Sequence, residues 1–577
     1  MFNDGRASMT VAEFVARFLR ERCFGTVFML SGTGSIFLDN AIAKEKGLSY
    51  ICSRHEATAA IMAAASSKIS GKVGAVVVTT GPGAVNAIAG VIEAWVDSIP
   101  LLVISGQVSS AQIAPKARTF GIQGFNVLGV ASPMTKYSAI VRDPKAIRFH
   151  LEKAFHEAQS GRPGPAWLDI PFDVQSTEIG DPAHLNRFIA AVPVIGISTA
   201  DSVARVIDFL RASRRPVCVL GQGVRQSGAT NAFRRLIDTL RIPVVATRAA
   251  LGIMTDSHPL YMGLGGIKGR PHTGLVLEKA DLIISLGCSL SHGFAGDAWD
   301  AFSPAAKIVM VDFDAAELDK VRQYVTLPIL LDVKLFIDDL LDAASNLALP
   351  SIREWIAECQ KAKAAHPVLR SDQYGDPINS YHLIQRLEAH ANEGHIFVSD
   401  TGGAYYTTGQ ALKFDRNQRE LTSVAFANMG IALPLAIGAA VGDPTAEIIC
   451  VSGDGSIEVN IQELRTIVQY GLPIKVFVIN NGGYGSIRDS QDEFCGGEYT
   501  DDTEVLDFEK VASAFNLPFT RIASVRDLDS SIDRVLSRRG PELVEVICDT
   551  QQKIAVPLRE RTTRKTVGHH LVASAAG

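Results

Sequence analysis

At 577 residues the chain is too long for one hydrophobic core, which predicts three or four α/β-sized domains. A formal net charge of −5, with no basic tract of the kind that follows a phosphate backbone, excludes nucleic acid as a partner. Apolar runs that are short and broken by Gly and Pro exclude a membrane span, and eight scattered cysteines without a CxxC pair point to a reducing, cytoplasmic compartment.

In chain order, short β-branched runs alternate with helical patterns, the rhythm of parallel sheets covered by helices. A helix is predicted over Val11–Arg20. The segment Ser53-Arg54-His55-Glu56 then leads into an Ala-rich helix, Ala57–Ala65, and a strand over Val73–Thr79 runs into Gly81-Pro82-Gly83-Ala84-Val85-Asn86. Further strands are predicted at Leu101–Ser105 and Ala166–Ile170, with a helix over Ala146–Gln159 between them. A second series holds strands Pro216–Leu220, Leu282–Leu286 and Lys307–Val311, with a helix over Ala229–Leu240. A third holds strands Glu447–Val451 and Ile474–Ile479 around a helix over Ile461–Tyr470. None of these strands alternates polar with apolar, so both faces of each sheet are expected to be covered. The predicted fold class is α/β, with three doubly wound parallel-sheet domains at residues 1–180, 190–345 and 377–550. A polar connector is expected around Leu349–Asp376, and a solvated or partner-draped basic tail over 551–577.

The sharpest chemical signal lies in the third series. Strand Glu447–Val451 runs into Ser452-Gly453-Asp454-Gly455-Ser456, and strand Ile474–Ile479 ends in Asn480-Asn481-Gly482-Gly483. Ligands of open parallel sheets bind at the carboxyl ends of strands, so both loops open at one edge and Asp454 and Asn481 can converge on one ion. A hard cation such as Mg²⁺ takes oxygen ligands in octahedral geometry. A carboxylate, an amide oxygen and a backbone carbonyl leave room for two phosphate oxygens and a water. The glycines let the backbone approach phosphates without a Cβ.

This pairing of GDGS with NN resembles the thiamine diphosphate motif of the acetohydroxyacid synthase/pyruvate decarboxylase superfamily. The resemblance implies thiamine diphosphate and Mg²⁺ as cofactors, with Asp454, Asn481 and the carbonyl of Gly483 as metal ligands and Gly453, Gly455 and Ser456 beside the diphosphate. The segment Ser399-Asp400-Thr401-Gly402-Gly403-Ala404 resembles the family's other diphosphate loop, with Gly403-Ala404 in place of the family's Gln-His pair. Arg54-His55-Glu56 followed by the GPGAVN turn resembles the pyrimidine-binding pattern, implying that Glu56 bonds N1′ of the cofactor's aminopyrimidine, with Asn86 nearby. The family position under the cofactor's bend falls on Met429, and the carbonyl that accepts from the 4′-amino group falls on Ala427. Because the family places the glutamate on one subunit and the metal motif on the other, a homodimer or homotetramer with interfacial active sites is implied.

The stretch ARTFGIQGFNVLGVASPMTKY, from Ala117 to Tyr137, resembles the acetohydroxyacid synthase segment RQxGIQExD…TKY. It keeps the glutamine near the carbons being joined, Gln123, and departs at Gly124 and Asn126. The tryptophan that shapes the family's acceptor pocket is replaced by Ser490, implying a larger acceptor. The implied reaction is decarboxylation of a 2-oxo acid such as pyruvate, with transfer of the acyl carbanion to a carbonyl acceptor, for example a bulky ketone or keto-sugar. Two alternatives stand beside it: a simple 2-oxo acid decarboxylase, and a catalytically silent regulatory homologue. In the middle domain, Gly221-Gln222-Gly223 with the runs ADLIISLG and KIVMVDFD resembles the family's central Rossmann-like domain, where acetohydroxyacid synthases bind FAD, yet Gly287-Cys288-Ser289-Leu290-Ser291-His292-Gly293 lacks the family's arginines. FAD and an empty scaffold are both open there.

Overall fold

A computed structural model describes residues 9–560 apart from 115, 191–198, 297–298, 346, 348, 417 and 498–503. The extreme N-terminus and residues 561–577 of the basic tail lie outside the described residues.

Among the described residues the chain builds three six-stranded sheets, every ladder parallel. The first comprises β1 (Thr26–Met29), β2 (Ser49–Cys52), β3 (Gly74–Val78), β4 (Leu101–Gln107), β5 (Tyr137–Ile140) and β6 (Pro165–Pro171), in the order β2-β1-β3-β4-β6-β5. The second comprises β7 (Pro216–Leu220), β8 (Val244–Ala246), β9 (Tyr261–Leu264), β10 (Leu282–Leu286), β11 (Lys307–Asp312) and β12 (Leu327–Leu330). The third comprises β13 (His395–Ser399), β14 (Arg419–Leu421), β15 (Glu447–Gly453), β16 (Ile474–Asn480), β17 (Phe519–Ile522) and β18 (Glu542–Ile547). The α/β expectation is met, and the wholly buried strands β3, β4, β6, β7 and β10 explain why no alternation is seen in their sequences.

The three sheets are not equivalent. The third runs β14-β13-β15-β16-β18-β17, the same winding as the first, whereas the second runs β12-β11-β10-β7-β8-β9, the dinucleotide-fold order. The first and third are therefore one topology used twice, with switch points between β1 and β3 and between β13 and β15.

Alanine-rich helices join those two sheets. The Glu56–Ser70 helix starts on His55, whose ring nitrogen accepts from the Ala57 N–H at 3.2 Å, and ends on Gly71 in the left-handed region. Its Ala59, Ala60 and Ala63 are fully buried, as are Ala436 and Ala439 of the Ala432–Gly442 helix packed against it. Small residues let the backbones approach closely: a Cβ on Gly438 would sit 2.2 Å from the Met62 carbonyl oxygen. Glu463, wholly buried, ties the sheets further by accepting from the Arg54 N–H at 2.9 Å and the Thr58 hydroxyl at 2.7 Å.

Three segments differ from the sequence expectation. The polar connector around Leu349–Asp376 contains a helix, Arg353–Ala365, whose buried Trp355 donates its indole N–H to the Pro216 carbonyl at 3.1 Å. A single tryptophan and Cys359 suffice to dock an otherwise polar helix, so its average composition concealed it. The first ten residues of the expected tail lie along the surface with half of them exposed, but are held at points: the Ala555 N–H donates to the Tyr381 hydroxyl at 2.9 Å, and the Leu558 N–H to the Pro271 carbonyl at 2.7 Å. Backbone bonding of this kind leaves no composition signal. The predicted helix Ile461–Tyr470 is a 3₁₀ turn, Ile461–Glu463, followed by a short α-helix, Leu464–Gln469. No described helix is long and apolar enough to cross a membrane. All eight cysteines are free, six of them buried.

Candidate active site

At the switch point of the third sheet, β13 and β15 lie side by side and their carboxyl ends deliver Asp400 and Asp454 to one edge. The Gly453–Ser456 segment, expected as a loop, instead enters a short helix, Asp454–Glu458, as soon as β15 ends. Asp454 is almost fully buried. Its Oδ1 accepts from the Gly455 N–H at 2.8 Å, and its Oδ2 accepts from the N–H groups of Asn481 at 3.0 Å and Gly483 at 2.9 Å. Burial raises its carboxyl above the ordinary value, while these N–H groups pull it back down. The turn after β16 can fold around the carboxylate because Gly482 and Gly483 take φ of 75° and 101°. The two adjacent asparagines divide the work: Asn480 turns back to donate to Glu545 at 2.7 Å, leaving Asn481 at the edge. Arg488 ties the turn down by donating to the Gly482 carbonyl at 2.8 Å.

Thr401, Gly402, Gly403 and Ala404 follow β13 and open the Gly403–Ala411 helix, with Gly402 at φ 65°. Gly403 and Asn481 line one cavity of about 150 Å³ together with Ser380, Arg488, Asp549 and Lys553. Among the described residues no cluster of three His, Cys, Asp or Glu side chains could hold a metal unaided. A cation at Asp454 would draw the rest of its shell from amide and carbonyl oxygens of the Asn481–Gly483 turn, water and a bound ligand, and a phosphate-bearing cofactor fits that donor set.

Asp400 is a residue that sequence reasoning passed over. Wholly buried, its carboxylate accepts from the N–H groups of Thr401 at 2.9 Å, Gly430 at 3.0 Å and Ala432 at 3.3 Å, and from the Ser452 hydroxyl at 2.8 Å. It thereby fixes the loop after β13, the 427–430 turn and the strand end before Asp454 in one register. Its place one step past a buried strand, like that of Asp454, was the available signal. Within the same turn Ala427 takes a left-handed φ of 55°, rare for a residue with a Cβ, and Met429 stays partly exposed.

In the first sheet Glu56 is 8% exposed and accepts from the Asn86 amide at 3.0 Å. Asn86 stands one turn into the Pro82–Val96 helix, and that helix begins at the switch point between β1 and β3. Gln123 also takes a left-handed φ, 63°, and its carbonyl presses on Gly81, where a Cβ would sit 1.8 Å from the oxygen. The structure thus groups Glu56 with Asn86 and Gly81 with Gln123 at one end of the first sheet. It groups Asp454, Asn481, Gly483 and the 401–404 and 427–430 segments at one end of the third. Ser490 lies on the Gly485–Cys495 helix, its hydroxyl bonded back to the Ser486 carbonyl at 3.0 Å.

Comparison with known families adds an independent finding. Residues 9–127 match the thiamine pyrophosphate enzyme N-terminal TPP binding domain, 203–340 the central domain, and 400–546 the C-terminal TPP binding domain. The chain is 32% identical to the acetolactate synthase isozyme 1 large subunit of Escherichia coli (strain K12), over 95% of this chain and 96% of that protein. It is 31% identical to the acetolactate synthase large subunit of Lactococcus lactis subsp. lactis (strain IL1403), over 94% of this chain and 93% of that one.

Proposed function

This chain belongs to the acetolactate synthase-like thiamine pyrophosphate enzymes, and we propose that it decarboxylates a 2-oxo acid, pyruvate foremost, and hands the remaining acyl group to a carbonyl acceptor. It is a thiamine diphosphate-dependent enzyme of the carboligase class. The observation that carries the proposal is the buried Asp454 carboxylate wrapped by the turn that presents Asn481 and Gly483.

Asp454, the Asn481 amide oxygen and the Gly483 carbonyl would hold Mg²⁺ against the cofactor's diphosphate, with Gly453, Gly455, Ser456 and the Thr401–Ala404 turn around it. Bound there, thiamine diphosphate supplies a nucleophilic carbon and an electron sink for loss of CO₂. Glu56 would hold a proton at N1′ of the pyrimidine, and Asn86 fixes that carboxylate's direction. The Ala427 carbonyl would accept from the 4′-amino group and Met429 would support the cofactor's bend. Gln123 would stand beside the carbons being joined. At position 490 a serine folded back onto its own helix leaves room for a ketone or keto-sugar larger than a second pyruvate.

Residues 1–180 are assigned to pyrimidine binding, 377–550 to diphosphate binding and 190–345 to a central domain. A homodimer or homotetramer follows, with Glu56 and Asp454 of each site drawn from different subunits. Half-exposed Val85, Trp95, Phe426 and Met429 support a partner surface near these segments. In the middle sheet the glycines are accounted for by packing: a Cβ on Gly221 would sit 2.0 Å from the Gly287 carbonyl oxygen, across the switch point between β7 and β10. A flavin is therefore not required to explain them, and that domain is proposed to be scaffold. The supernatant of denatured protein should be colourless; a yellow extract with flavin absorbance would reverse this assignment.

The deciding experiment mixes pure protein with thiamine diphosphate, Mg²⁺ and pyruvate, with and without aldehyde, ketone and keto-sugar acceptors, and identifies products by mass. A coupled hydroxyketone is expected. Free acetaldehyde whatever the acceptor would make the protein a simple decarboxylase, and no consumption of pyruvate would overturn the donor.

A further inference from the structure

Strands β4 and β6 pair in a register that sets Ser105 beside Asp169 and Val103 beside Trp167. Side chains two apart on a strand share a face, so Ser105 and Gln107 of β4 meet Trp167 and Asp169 of β6 on one side of the sheet. All four are buried. The Trp167 indole N–H donates to the Ser105 hydroxyl at 2.8 Å, and that hydroxyl donates to Asp169 Oδ1 at 2.6 Å. The Gln107 amide nitrogen donates twice, to Asp169 Oδ2 and to the Phe125 carbonyl, each at 2.9 Å. Gln107 Oε1 accepts from the Val108 N–H at 3.0 Å. This amide has one possible orientation. Turned round, it would set its oxygen against the Phe125 carbonyl and its NH₂ against the Val108 N–H.

Phe125 closes a tight turn. The Phe120 N–H donates to the Gly124 carbonyl at 2.8 Å, and a Cβ on Gly124 would sit 2.0 Å from the Phe120 carbonyl oxygen. Phe120 and Gly124 are buried, while the tip between them, Gly121-Ile122-Gln123, is exposed. Among the described residues, the Gln107 bond is the one hydrogen bond between residues 117–127 and the strands of the first sheet. We propose that Gln107 is a positioning residue: through the Phe125 carbonyl it sets where the turn presents Gln123, and so how often the acyl group is passed to an acceptor and not released. The consequence for products rests on the role given above to Gln123; the hold on the turn does not.

The turn is gripped from two sides, at Gln123 by the close approach of its carbonyl to Gly81 and at Phe125 by the Gln107 amide. Contact with Gly81 limits how near the turn can come but supplies no bond, so without the amide the turn can lift away. A displacement of about 1 Å slows a joining step about 100-fold, because the reacting atoms must meet in one geometry. An acyl group that meets no acceptor takes up a proton from water and leaves as the aldehyde, acetaldehyde when the donor is pyruvate. Loosening the turn therefore moves the product from coupled hydroxyketone to aldehyde. Loss of CO₂ comes before the acceptor is needed, so the donor half of the reaction is disturbed less.

The test compares two variants of the full chain. Gln107→Met fills the same space without a donor, and Ser105→Ala leaves the bond from Gln107 to Phe125 in place. Each strips Asp169 of one of its two partners, and only the first also frees the turn. Hydrogen exchange of residues 120–127 should run about tenfold faster in Gln107→Met, the size of one hydrogen bond, and stay natural in Ser105→Ala. With thiamine diphosphate, Mg²⁺, pyruvate and the acceptors of the assay above, Gln107→Met should raise the ratio of acetaldehyde to hydroxyketone about tenfold or more. Its KM for the acceptor should rise further than its KM for pyruvate, a split that general damage to the sheet would not give. Natural exchange in Gln107→Met would overturn the proposal, as would equal loosening of the turn in Ser105→Ala. Exchange needs no substrate, so it tests the hold whatever the protein ligates. If exchange quickens while the product ratio and both KM values stay natural, the hold stands and the assignment of Gln123 falls.

Discussion

Asp454→Asn is expected to leave a folded protein that no longer retains thiamine diphosphate. The exchange keeps the shape of the side chain and one oxygen, so the Asn481 and Gly483 N–H groups keep their acceptor. Only the Gly455 N–H loses its partner, a local cost of about 1–3 kcal/mol. What disappears is the sole carboxylate among the proposed cation ligands. Changing a group that merely supports a metal ligand costs about 10–100-fold in affinity, so losing the ligand's charge should cost more than about 100-fold. Calorimetric titration with cofactor and Mg²⁺, beside an unchanged circular dichroism spectrum, reads this directly. Cofactor binding at natural strength in this variant would remove Asp454 from the metal site.

Glu56→Gln is expected to act on turnover and to spare binding. A glutamine fits the same space and can still accept from the Asn86 amide through its oxygen, so the helix start should not move. It cannot hold and return a proton at the pyrimidine nitrogen. Positioned acid–base groups contribute about 100- to 10,000-fold, and a loss of that size in the rate of pyruvate consumption is the expected result. Folding, subunit association and Mg²⁺-dependent cofactor affinity should remain close to natural. Turnover within a few-fold of the natural protein would refute the role of Glu56. The two variants separate the halves of the proposed site: the first empties it, the second leaves it filled and idle.

The sequence by itself determined the α/β class and the positions of β3, β4, β6, β7, β10, β11, β15 and β16, though not of the equally buried β8, β9 and β13, because a longer strand covered on both faces must be apolar throughout and its bounds show as a run. It also determined the GDGS and NN strand ends, since a phosphate-facing turn needs glycine and an oxygen donor at fixed distance from a strand. Tertiary structure alone decided that the first and third sheets share one winding while the second is wound differently. Strand order is set by which helices can cover which face, and no residue encodes it locally. The role of Asp400 was likewise hidden, since its four partners come from segments up to 52 positions away.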